Sequence, residues 1–343
     1  MANTKNRGAA LVTVLVIVVI VMVIIANLTV TNYRMIKRLE NRQLIEQATS
    51  IAYSAVDFGR AGLATSGATQ AFDALTDIWA QPFPKTKVLD DVYMSGYVID
   101  EQSKFNLNDL VNRGVVNKNV LAQFSQLLGY LNLPQSLAYN IAFYIASPVN
   151  QNDIMLQYTM GKPAYRPAGR PFVDLSELIL VKGTTPEIVQ KLAQYTTAIP
   201  VNGYGLTAES AESAVNYLQN NLNFGFGQAV NVNTAPAEVI AAKGGISMAI
   251  AQRMVSARLS QPFKNSQAVT TFLTQNGVNL NPVGQSAAKN GIQVNTAGLV
   301  TSSSYFTIHV TIDDYEDQFR WVAFVYRQNR SGQWPQILWQ HPE

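Results

Sequence analysis

Side chains that could perform catalysis are few and far apart in this chain. It has no Cys and only two His, His309 and His341, which excludes disulfides, Cys-ligated zinc, iron–sulfur clusters and thiol catalysis. Ser176 and Ser210 have no His near them in the sequence, and no glycine-rich phosphate-binding loop is present. The sequence therefore predicts a protein that is not an enzyme.

Acidic residues are the next candidates, because Ca²⁺ is bound by several carboxylate and carbonyl oxygens at once. Adjacent pairs occur at Asp100/Glu101, Asp313/Asp314 and Glu316/Asp317. The central part of the chain adds scattered acids: Asp109, Asp153, Asp174, Glu177, Glu187, Glu209, Glu212 and Glu238. None of them has the dense spacing of a calcium loop, so solvated turns are the favoured interpretation. No metal or other cofactor is predicted, and calcium is kept as the alternative.

One stretch resembles a nucleic-acid-binding unit, the helix-hairpin-helix. The hairpin residues would be Gly244, Gly245, Ile246 and Ser247, and such a hairpin presents backbone N–H groups to a phosphate. Here Ser247 stands where the second glycine is expected, which restricts the backbone. The nearby basic residues form only a thin patch: Lys243, Arg253, Arg258 and Lys264. A structural hairpin is therefore favoured, and nucleic acid is not expected as a partner.

The composition agrees with that interpretation. Only 14% of the residues are charged, and the formal net charge of +3 comes partly from residues that flank an apolar N-terminal run. A length of 343 residues accommodates a membrane helix and one or two domains of ordinary size.

The apolar run extends from Ala9 to about Thr31 and contains no charge. Its length matches the roughly 20 apolar residues that a helix needs to cross a bilayer. In lipid, backbone N–H and C=O groups must be bonded within the segment, so the run is predicted to be helical despite its many Val and Ile. Lys5 and Arg7 precede it and are interpreted as its cytoplasmic end.

Three interpretations of this run are considered. A cleaved secretory signal is disfavoured because the run is long and its small residues, Gly8, Ala9 and Ala10, stand at its front edge. A plain signal anchor fits the hydrophobicity but gives Gly8 no role. The favoured interpretation is a type IV prepilin-like N-terminus, which residues 5–15 resemble. In that class a short basic leader ends in Gly, and the apolar helix stays on the mature protein.

The helix is predicted to continue beyond the membrane to about residue 60. Apolar residues recur at three- and four-residue steps, and neither Pro nor Gly interrupts the chain from Ala9 to Phe58. One helix over 9–60 thus has a transmembrane part, 9–31, and a stem, 32–60. A membrane helix followed by a separate soluble helix is the alternative. The predicted helix packing interface consists of Met35, Leu39, Ile45, Ala52 and Val56.

Beyond the N-terminal helix, the spacing of apolar residues changes twice along the chain. Residues 92–99 alternate as in a strand, a helical pattern follows, and from residue 301 the period returns to two. The predicted C-terminal strands are 305–312, 318–327 and 337–340. Ahead of the first strand the pattern indicates a turn at 62–68, a short helix at 72–79 and a break at 82–84. The predicted helices are 117–131, 134–147, 174–182, 185–194, 207–220, 235–243, 247–259 and 265–275, with an exposed loop at about 146–171.

The helical part contains a short internal echo. Phe105-Asn106-Leu107-Asn108 resembles Val230-Asn231-Val232-Asn233, and each is followed later by a Pro-Phe pair, at Phe172 and Phe263. Such an echo suggests duplication of a helical unit.

The strands on either side of the helical part must meet, because a lone strand at 92–99 is not stable. The predicted fold class is α+β, with a long N-terminal transmembrane and stem helix, a pilin-like domain with a small antiparallel sheet, and a large inserted all-α domain with helix-hairpin-helix-like repeats. The predicted segments are the leader 1–8, the helix 9–60, the first part of the pilin-like domain 61–104, the inserted α-helical domain 105–295 and the second, β-hairpin part 296–343.

These features together resemble the K-type minor pseudopilins of the type II secretion system (general secretion pathway protein K) along nearly the whole chain. Each element is weak alone, but their order and spacing are fairly specific. The elements are the Gly8/Ala9 junction, Thr13, residues 99–110, 170–178 and 230–242, and the C-terminal hairpin. Most pilins and pseudopilins have Glu at the fifth mature position, and its replacement, here by Thr13, is characteristic of the K-type members.

The resemblance implies cleavage after Gly8 and N-methylation of Ala9 by the prepilin peptidase. It implies binding to the I-type and J-type minor pseudopilins, other pseudopilins and the inner-membrane assembly platform. The expected function is non-enzymatic: the chain caps the tip of the pseudopilus, initiates its assembly and supports export across the outer membrane. It would cross the inner membrane once, with a cytoplasmic N-terminus and periplasmic soluble domains.

Other functions stay open from the sequence. One is a minor pilin of a type IV pilus used for adhesion or DNA uptake, or DNA binding through the helix-hairpin-helix-like segment. Another is an unrelated membrane-anchored periplasmic scaffold.

Overall fold

The computed structural model describes residues 5–89, 91–112, 114–146, 152–161, 163–199, 228–280, 294–314, 318–328 and 333–343. The chain divides into two compact units, one that ends at Ser54 and one formed by Ala55–Glu343. The first unit is helical, and the second contains all the strands and the remaining helices.

Helix α1 runs without interruption from Lys5 to Thr69. It extends the predicted helix 9–60 at both ends, and the predicted turn at 62–68 is wrong because those residues are helical. Next to Gly62, Leu63 is fully buried and Ala64 is nearly so. Burial of this apolar face outweighs the helix-propensity cost of a glycine, which is about 1 kcal/mol.

The predicted helix at 72–79 is also wrong, since only one 3₁₀ turn, Ile78–Ala80, forms there. The Asp77 carboxylate accepts hydrogen bonds from the backbone N–H of Ala74 and from the Trp79 indole, both at 3.0 Å. An Asp side chain that bonds to nearby backbone stabilises turns in competition with helix. The apolar spacing of this segment therefore reflects burial in a loop.

Five antiparallel strands form the main sheet, in the order β1-β2-β9-β10-β11. The strands are β1 Phe83–Leu89, β2 Val92–Asp100, β9 Tyr305–Asp313, β10 Gln318–Tyr326 and β11 Gln336–Pro342. In the centre of the sheet, Val98 lies opposite Ile308. The strand before the helical part thus pairs with the strand after it, as the sequence predicts.

Strand β1 is the one strand of this sheet that the sequence pattern missed. The predicted break at 82–84 lies where β1 begins, at the edge of the sheet, and an edge strand tolerates Pro because its outward N–H needs no partner. Phe83 is its anchor, since it is buried and contacts the Phe58 ring of α1 edge-on at 5.2 Å.

The helices between β2 and β9 lie close to their predicted positions. They are α2 Lys118–Tyr130, α3 Ser136–Ile145, α4 Asn152–Thr159, α5 Pro186–Ala193, α6 Ala237–Gly244, α7 Met248–Ser260 and α8 Ser266–Gln275. The segment 174–182 is instead a 3₁₀ helix, Leu175–Leu180. Helix α4 lies inside the stretch predicted as an exposed loop, where the buried Tyr158 anchors it. The predicted helix 207–220 lies outside the described residues.

Short strand pairs tie the ends of this helical part together. Strand β3 Phe105–Asn106 is parallel to β6 Thr196–Thr197. Strand β7 Val230–Asn231 is parallel to β8 Leu299–Val300. Strands β4 Val111–Asn112 and β5 Val115–Val116 form an antiparallel turn.

A single apolar core serves both halves of the helical part. Its fully buried members come from segments on both sides of residue 200 and include Phe105, Phe124, Ile141, Val239, Met254 and Leu273. The predicted α+β class is confirmed, with a long apolar N-terminal helix, a small antiparallel sheet and a set of helices between its strands.

A pair of glycine substitutions three residues apart in α1 tests how the helix packs. A Cβ at Gly62 would lie 3.8 Å from the nearest atom, in Trp79, whereas one at Gly59 would lie 3.1 Å from Ile308 and 3.2 Å from Phe83. We expect Gly62→Ala to raise the free energy of unfolding by about 0.5–1 kcal/mol through helix propensity alone. Gly59→Ala has the same propensity gain but must displace both neighbours, so its net effect is expected to be zero or destabilising. Denaturant unfolding of the full chain in detergent, followed by circular dichroism, measures both. Destabilisation by Gly62→Ala would show that the helix ends before residue 62.

Candidate functional site

The predicted processing site lies in the first turns of α1. Gly8 and Ala9 are helical, and Thr13 lies one turn further on with an exposed side chain. From Leu11 to Ile25 the large apolar side chains are 44–72% exposed. The hydroxyls of Thr29 and Thr31 donate to the carbonyls of Ile25 and Asn27 at 2.9 and 2.8 Å. These bonds satisfy the hydroxyls within the helix, so the surface stays compatible with lipid beyond Ile25.

By length and composition, one helix of the described chain is apolar enough to cross a membrane, and it is this one. Its apolar window is not buried anywhere within the chain. An apolar surface of this size, exposed to water, would be strongly unfavourable. The helix is therefore suited to serve as a single membrane anchor.

The five residues of the predicted helix packing interface do not share one environment. Met35, Leu39 and Ile45 are 56–61% exposed and are available to another protein. Ala52 and Val56 are fully buried within the chain itself, so a partner helix cannot reach them. The helix packing interface therefore stays a prediction for the first three residues, whereas Ala52 and Val56 pack inside this chain.

A buried polar network connects the end of α1, the sheet and the second half of the helical part. Its centre is the ion pair between Arg327 Nη2 and Asp73 Oδ2, 2.6 Å apart and almost fully buried. The same guanidinium donates to the carbonyls of Leu63 in α1 and Ser303, at 3.1 and 2.7 Å. Asp73 Oδ2 also accepts the Ser303 N–H at 2.7 Å. A buried charge is tolerated only when it is paired and hydrogen-bonded in this way.

Asp100, the last residue of β2, continues the network. Its Oδ2 accepts hydrogen bonds from the hydroxyls of Thr234 and Ser303, both at 2.6 Å, and from the Asn231 amide at 3.2 Å. Its Oδ1 accepts the Gln102 N–H at 2.8 Å. Burial raises the pKa of Asp100 to about 6, and the hydrogen bonds from the two hydroxyls counteract this shift only in part. The carboxyl group thus titrates at mildly acidic pH.

The internal echo corresponds to the same hydrogen-bonded clamp in both halves. In the first half, Asn108 accepts the Phe172 N–H at 2.7 Å and donates to the Phe172 carbonyl at 3.0 Å. In the second half, Asn233 makes the equivalent bonds to Phe263 at 2.8 and 2.9 Å. Each Asn therefore fixes a distant Pro-Phe segment by its backbone, which explains why an Asn occurs at both positions.

A second buried ion pair joins the two halves. Lys243 Nζ lies 3.7 Å from Asp109 Oδ2 and 4.6 Å from the centre of the Phe105 ring. Asp109 also accepts the Gln228 N–H at 2.6 Å. Burial raises the pKa of Asp109 and lowers the pKa of Lys243, and their mutual attraction opposes both shifts. Neither side chain is available to bind a partner.

The helix-hairpin-helix-like residues form a tight connection between α6 and α7. Gly245 has a left-handed backbone, with φ of 62°, and Ser247 caps α7 by accepting the Ile250 N–H. A Cβ at Gly244 would lie 3.0 Å from Leu299, so this glycine permits close packing inside the protein. Ile246 is buried. The hairpin residues thus serve internal packing and helix capping.

Two of the basic residues around this hairpin are also buried inside the protein. Lys243 is fully buried, and the guanidinium of Arg258 donates to the carbonyls of Val232 and Ala235 at 2.7 and 2.5 Å. Burial lowers the pKa of Arg258 to about 10. Two of the four basic residues that could contact phosphate are therefore used inside the fold, which favours the structural interpretation of the hairpin.

The acidic pairs have separate partners. Glu101 forms an ion pair with Lys104 at 3.3 Å and accepts the Thr307 hydroxyl at 2.8 Å. Asp313 forms an ion pair with Lys85 at 2.9 Å. Across the described ranges, no three Asp, Glu or His residues come together as a metal site. Glu209, Glu212, Glu316 and Asp317 lie outside those ranges, as does Ser210, so the prediction of no metal and its calcium alternative both stay untested.

Sequence reasoning missed the Arg327–Asp73–Asp100 network. The sequence pattern indicates Asp100 and Glu101 only as possible calcium ligands. It assigns no role to Asp73 or Arg327. A usable signal was present in an Arg that ends an otherwise apolar strand, residues 321–327. An Arg in such a position is buried with the strand and needs an acid.

Family models agree with these observations. Two models, both described as type II secretion system (T2SS) protein K, match residues 103–201 and residues 230–295. These ranges include both Asn clamps and the hairpin between α6 and α7.

One relative is similar in sequence, and one solved structure is similar in fold. The chain is 28% identical, over 284 residues, to type II secretion system protein K of Pseudomonas aeruginosa, which covers 79% of this chain and 78% of the relative. The fold is similar to a chain in the crystal structure of the GspK-GspI-GspJ complex from the enterotoxigenic Escherichia coli type 2 secretion system. That similarity has a TM-score of 0.64 and 19% identity, and it covers 89% of this chain and 99% of the other.

Titration of Asp100 gives a pH-dependent stability of known sign. Because the folded-state pKa is raised from 3.8 to about 6, the folded protein holds this proton more tightly than the unfolded chain does. The resulting stabilisation is complete below about pH 4 and is lost as the pH rises through 6, by at most about 3 kcal/mol. We expect Asp100→Asn to remove this part of the pH dependence in thermal unfolding of the full chain. Asp313→Asn, at a half-buried residue outside the network, is the control and should leave it intact. Equal behaviour of the two variants would contradict the assignment.

Removal of the Arg327 guanidinium should be strongly destabilising, because Asp73 would stay buried without its partner. We expect Arg327→Met to lower the free energy of unfolding by about 3–5 kcal/mol, and the added change Asp73→Asn to restore part of it. Arg320→Met, on the exposed face of the same strand, should change stability by less than about 0.5 kcal/mol. Denaturant unfolding monitored by the buried Trp79 measures all three. Equal effects of Arg327→Met and Arg320→Met would show that the network contributes little.

Proposed function

Because the chain belongs to the family of type II secretion system protein K, we propose that it is the minor pseudopilin that caps the tip of the pseudopilus. In this role it initiates pseudopilus assembly and supports protein export across the outer membrane. The protein acts mechanically, through helix packing and obstruction, and it is neither an enzyme nor dependent on a cofactor.

The observation that carries the proposal is Thr13, exposed on α1 five positions after the predicted cleavage at Gly8. A carboxylate in hydrocarbon is costly unless it is paired. In the pilin family the Glu at this position pairs with the N-terminal amine of the subunit ahead. A subunit at the tip has no subunit ahead of it, so a neutral Thr is sufficient there and avoids an unpaired buried charge.

The second unit supports the same role. Helices α2–α8 lie between β2 and β9, so a pilin-like sheet has a large helical body inserted into it. The Arg327 network holds this body to the sheet through buried bonds, including Asn231 to Asp100. A fixed body of this size would obstruct a further subunit from stacking above it.

Processing and orientation follow from the leader. We infer cleavage between Gly8 and Ala9, methylation of the Ala9 amine by the prepilin peptidase, and an inner-membrane helix with its N-terminus in the cytoplasm and its soluble unit in the periplasm. Lys and Arg counts alone do not support this orientation, because two basic residues precede the apolar run, and Arg34, Lys37, Arg38 and Arg42 follow it. The orientation therefore rests on the leader, which the peptidase meets at the cytoplasmic side.

The proposed partners are the I-type and J-type minor pseudopilins, together with the assembly platform. The similar chain of the Escherichia coli structure comes from a complex named for its K, I and J components. Met35, Leu39 and Ile45 provide exposed apolar surface on α1 for helix packing. The alternatives of a type IV minor pilin and a DNA-binding protein are not favoured by the comparisons, and the buried Lys243 and Arg258 weaken the second one further.

Complex formation is the direct test. The full chain, solubilised in mild detergent, is mixed with the purified I-type and J-type pseudopilins of the same bacterium, and the mass of the product is measured by light scattering. We expect one stable complex that contains one copy of each protein. A folded chain that binds neither partner would refute the tip assignment.

Matched substitutions locate the interface within that assay. Leu39→Asp places a charge on the exposed face of α1 and should weaken the complex at least tenfold. Tyr139→Asp changes an exposed apolar residue of α3 and should leave the affinity unchanged. If Tyr139→Asp weakens the complex and Leu39→Asp does not, the interface lies on the helical part and not on α1.

A further inference from the structure

Two arginines that follow the apolar run have no acidic counterpart. Arg34 and Arg38 are one turn apart on α1 and are exposed. The positions three and four residues away from either of them hold no Asp or Glu. Among the described residues, no salt bridge involves either side chain.

The neighbouring basic residues are different, because each has a partner on the same helix. Lys37 lies 2.9 Å from Glu40, and Arg42 lies 2.9 Å from Glu46. The helix therefore neutralises two of its four basic residues in this region and leaves the other two as like charges at i and i+4. Such a pair slightly destabilises a helix, and an anion that binds both side chains would remove the repulsion.

The distance of the two arginines from the apolar run, measured along the helix axis, indicates which anion lies near them. At 1.5 Å per residue, Arg34 lies about 5 Å beyond Thr31 and Arg38 about 10 Å beyond it. This is the headgroup layer of a bilayer whose hydrocarbon core holds residues 9–31. Tyr33 is 63% exposed at the same level, where amphipathic aromatic rings are enriched at membrane interfaces.

We propose that Arg34 and Arg38 form a binding site for the phosphate of an anionic phospholipid in the leaflet from which α1 emerges. Guanidinium groups suit phosphate because their donors can bind two of its oxygens at once. Arg side chains one turn apart on one face can reach one headgroup together. The site would fix the depth and rotation of α1 in the membrane. It depends only on α1 as a membrane anchor and is independent of the tip role.

Spin-labelled lipids test the proposal on the full chain. The chain is reconstituted in phosphatidylcholine bilayers, and the fraction of motionally restricted probe is compared for labelled phosphatidylglycerol and labelled phosphatidylcholine. We expect the anionic probe to be preferred by at least about fivefold, the factor expected for one basic residue at an anionic surface. Raising the ionic strength from about 0.1 M to 1 M should reduce the preference, because the Debye length falls to about 3 Å.

Two double variants with the same change of net charge separate a site from general attraction. Arg34→Gln/Arg38→Gln should abolish the preference, whereas Lys37→Gln/Arg42→Gln should retain it. Circular dichroism and flotation with the vesicles confirm that both variants are helical and inserted. If both variants lose the preference for the anionic probe equally, the overall positive charge explains it and the proposal is overturned.

A protein partner is the competing occupant, and the same variants decide it. If Arg34→Gln/Arg38→Gln keeps the lipid preference but fails to bind the I-type and J-type pseudopilins, the arginines serve protein binding and the lipid proposal is wrong. Failure of the wild-type chain to form that complex would refute the tip role while leaving the lipid measurement valid.

Discussion

The soluble unit depends on burying one arginine. Arg327 ends a strand whose last six residues are buried, and its guanidinium is compensated by Asp73 and by the carbonyls of Leu63 and Ser303. Each partner comes from a different segment of the chain. Because an uncompensated buried charge is so unfavourable, arrangements of these segments that leave the guanidinium unpaired are strongly disfavoured. Asp100 and Asn231 extend the same constraint to the helical part.

The sequence was sufficient to predict the elements whose signals are local. The apolar run, the alternation in β9 and β10 and the helices α2, α3 and α5 to α8 each show their own periodicity, and the pairing of β2 with β9 followed from the instability of a lone strand. The failures have a common cause. The turn expected at 62–68 and the break expected at 82–84 were inferred from Gly and Pro residues, and the helix expected at 72–79 from a short apolar spacing. Burial overrode the first, an edge position in the sheet the second, and the Asp77 hydrogen bonds the third.

The candidate site shows the same division. Its apolar run could be identified from spacing alone, because it is a property of contiguous residues. The cleavage junction beside it stays a prediction from the same kind of local pattern. The buried networks could not be identified in this way, since Asp73 and Arg327 are 254 positions apart and their types alone do not identify them as partners. The Asn clamps lie between these extremes. Their repetition was visible in the sequence, but the function of each Asn became clear only when Phe172 and Phe263 were found on its side chain.

The pairing of β2 with β9 has a consequence for how the protein is made. Asp100 and Ser303 are 203 positions apart, so the centre of the sheet cannot close until the entire helical part has been synthesised. The entropy of closing so long a loop is reduced if the intervening helices have already collapsed. Helices that collapse early would thus serve as an internal scaffold for the sheet, and β2, translated before β9, has an unpaired edge until β9 is made.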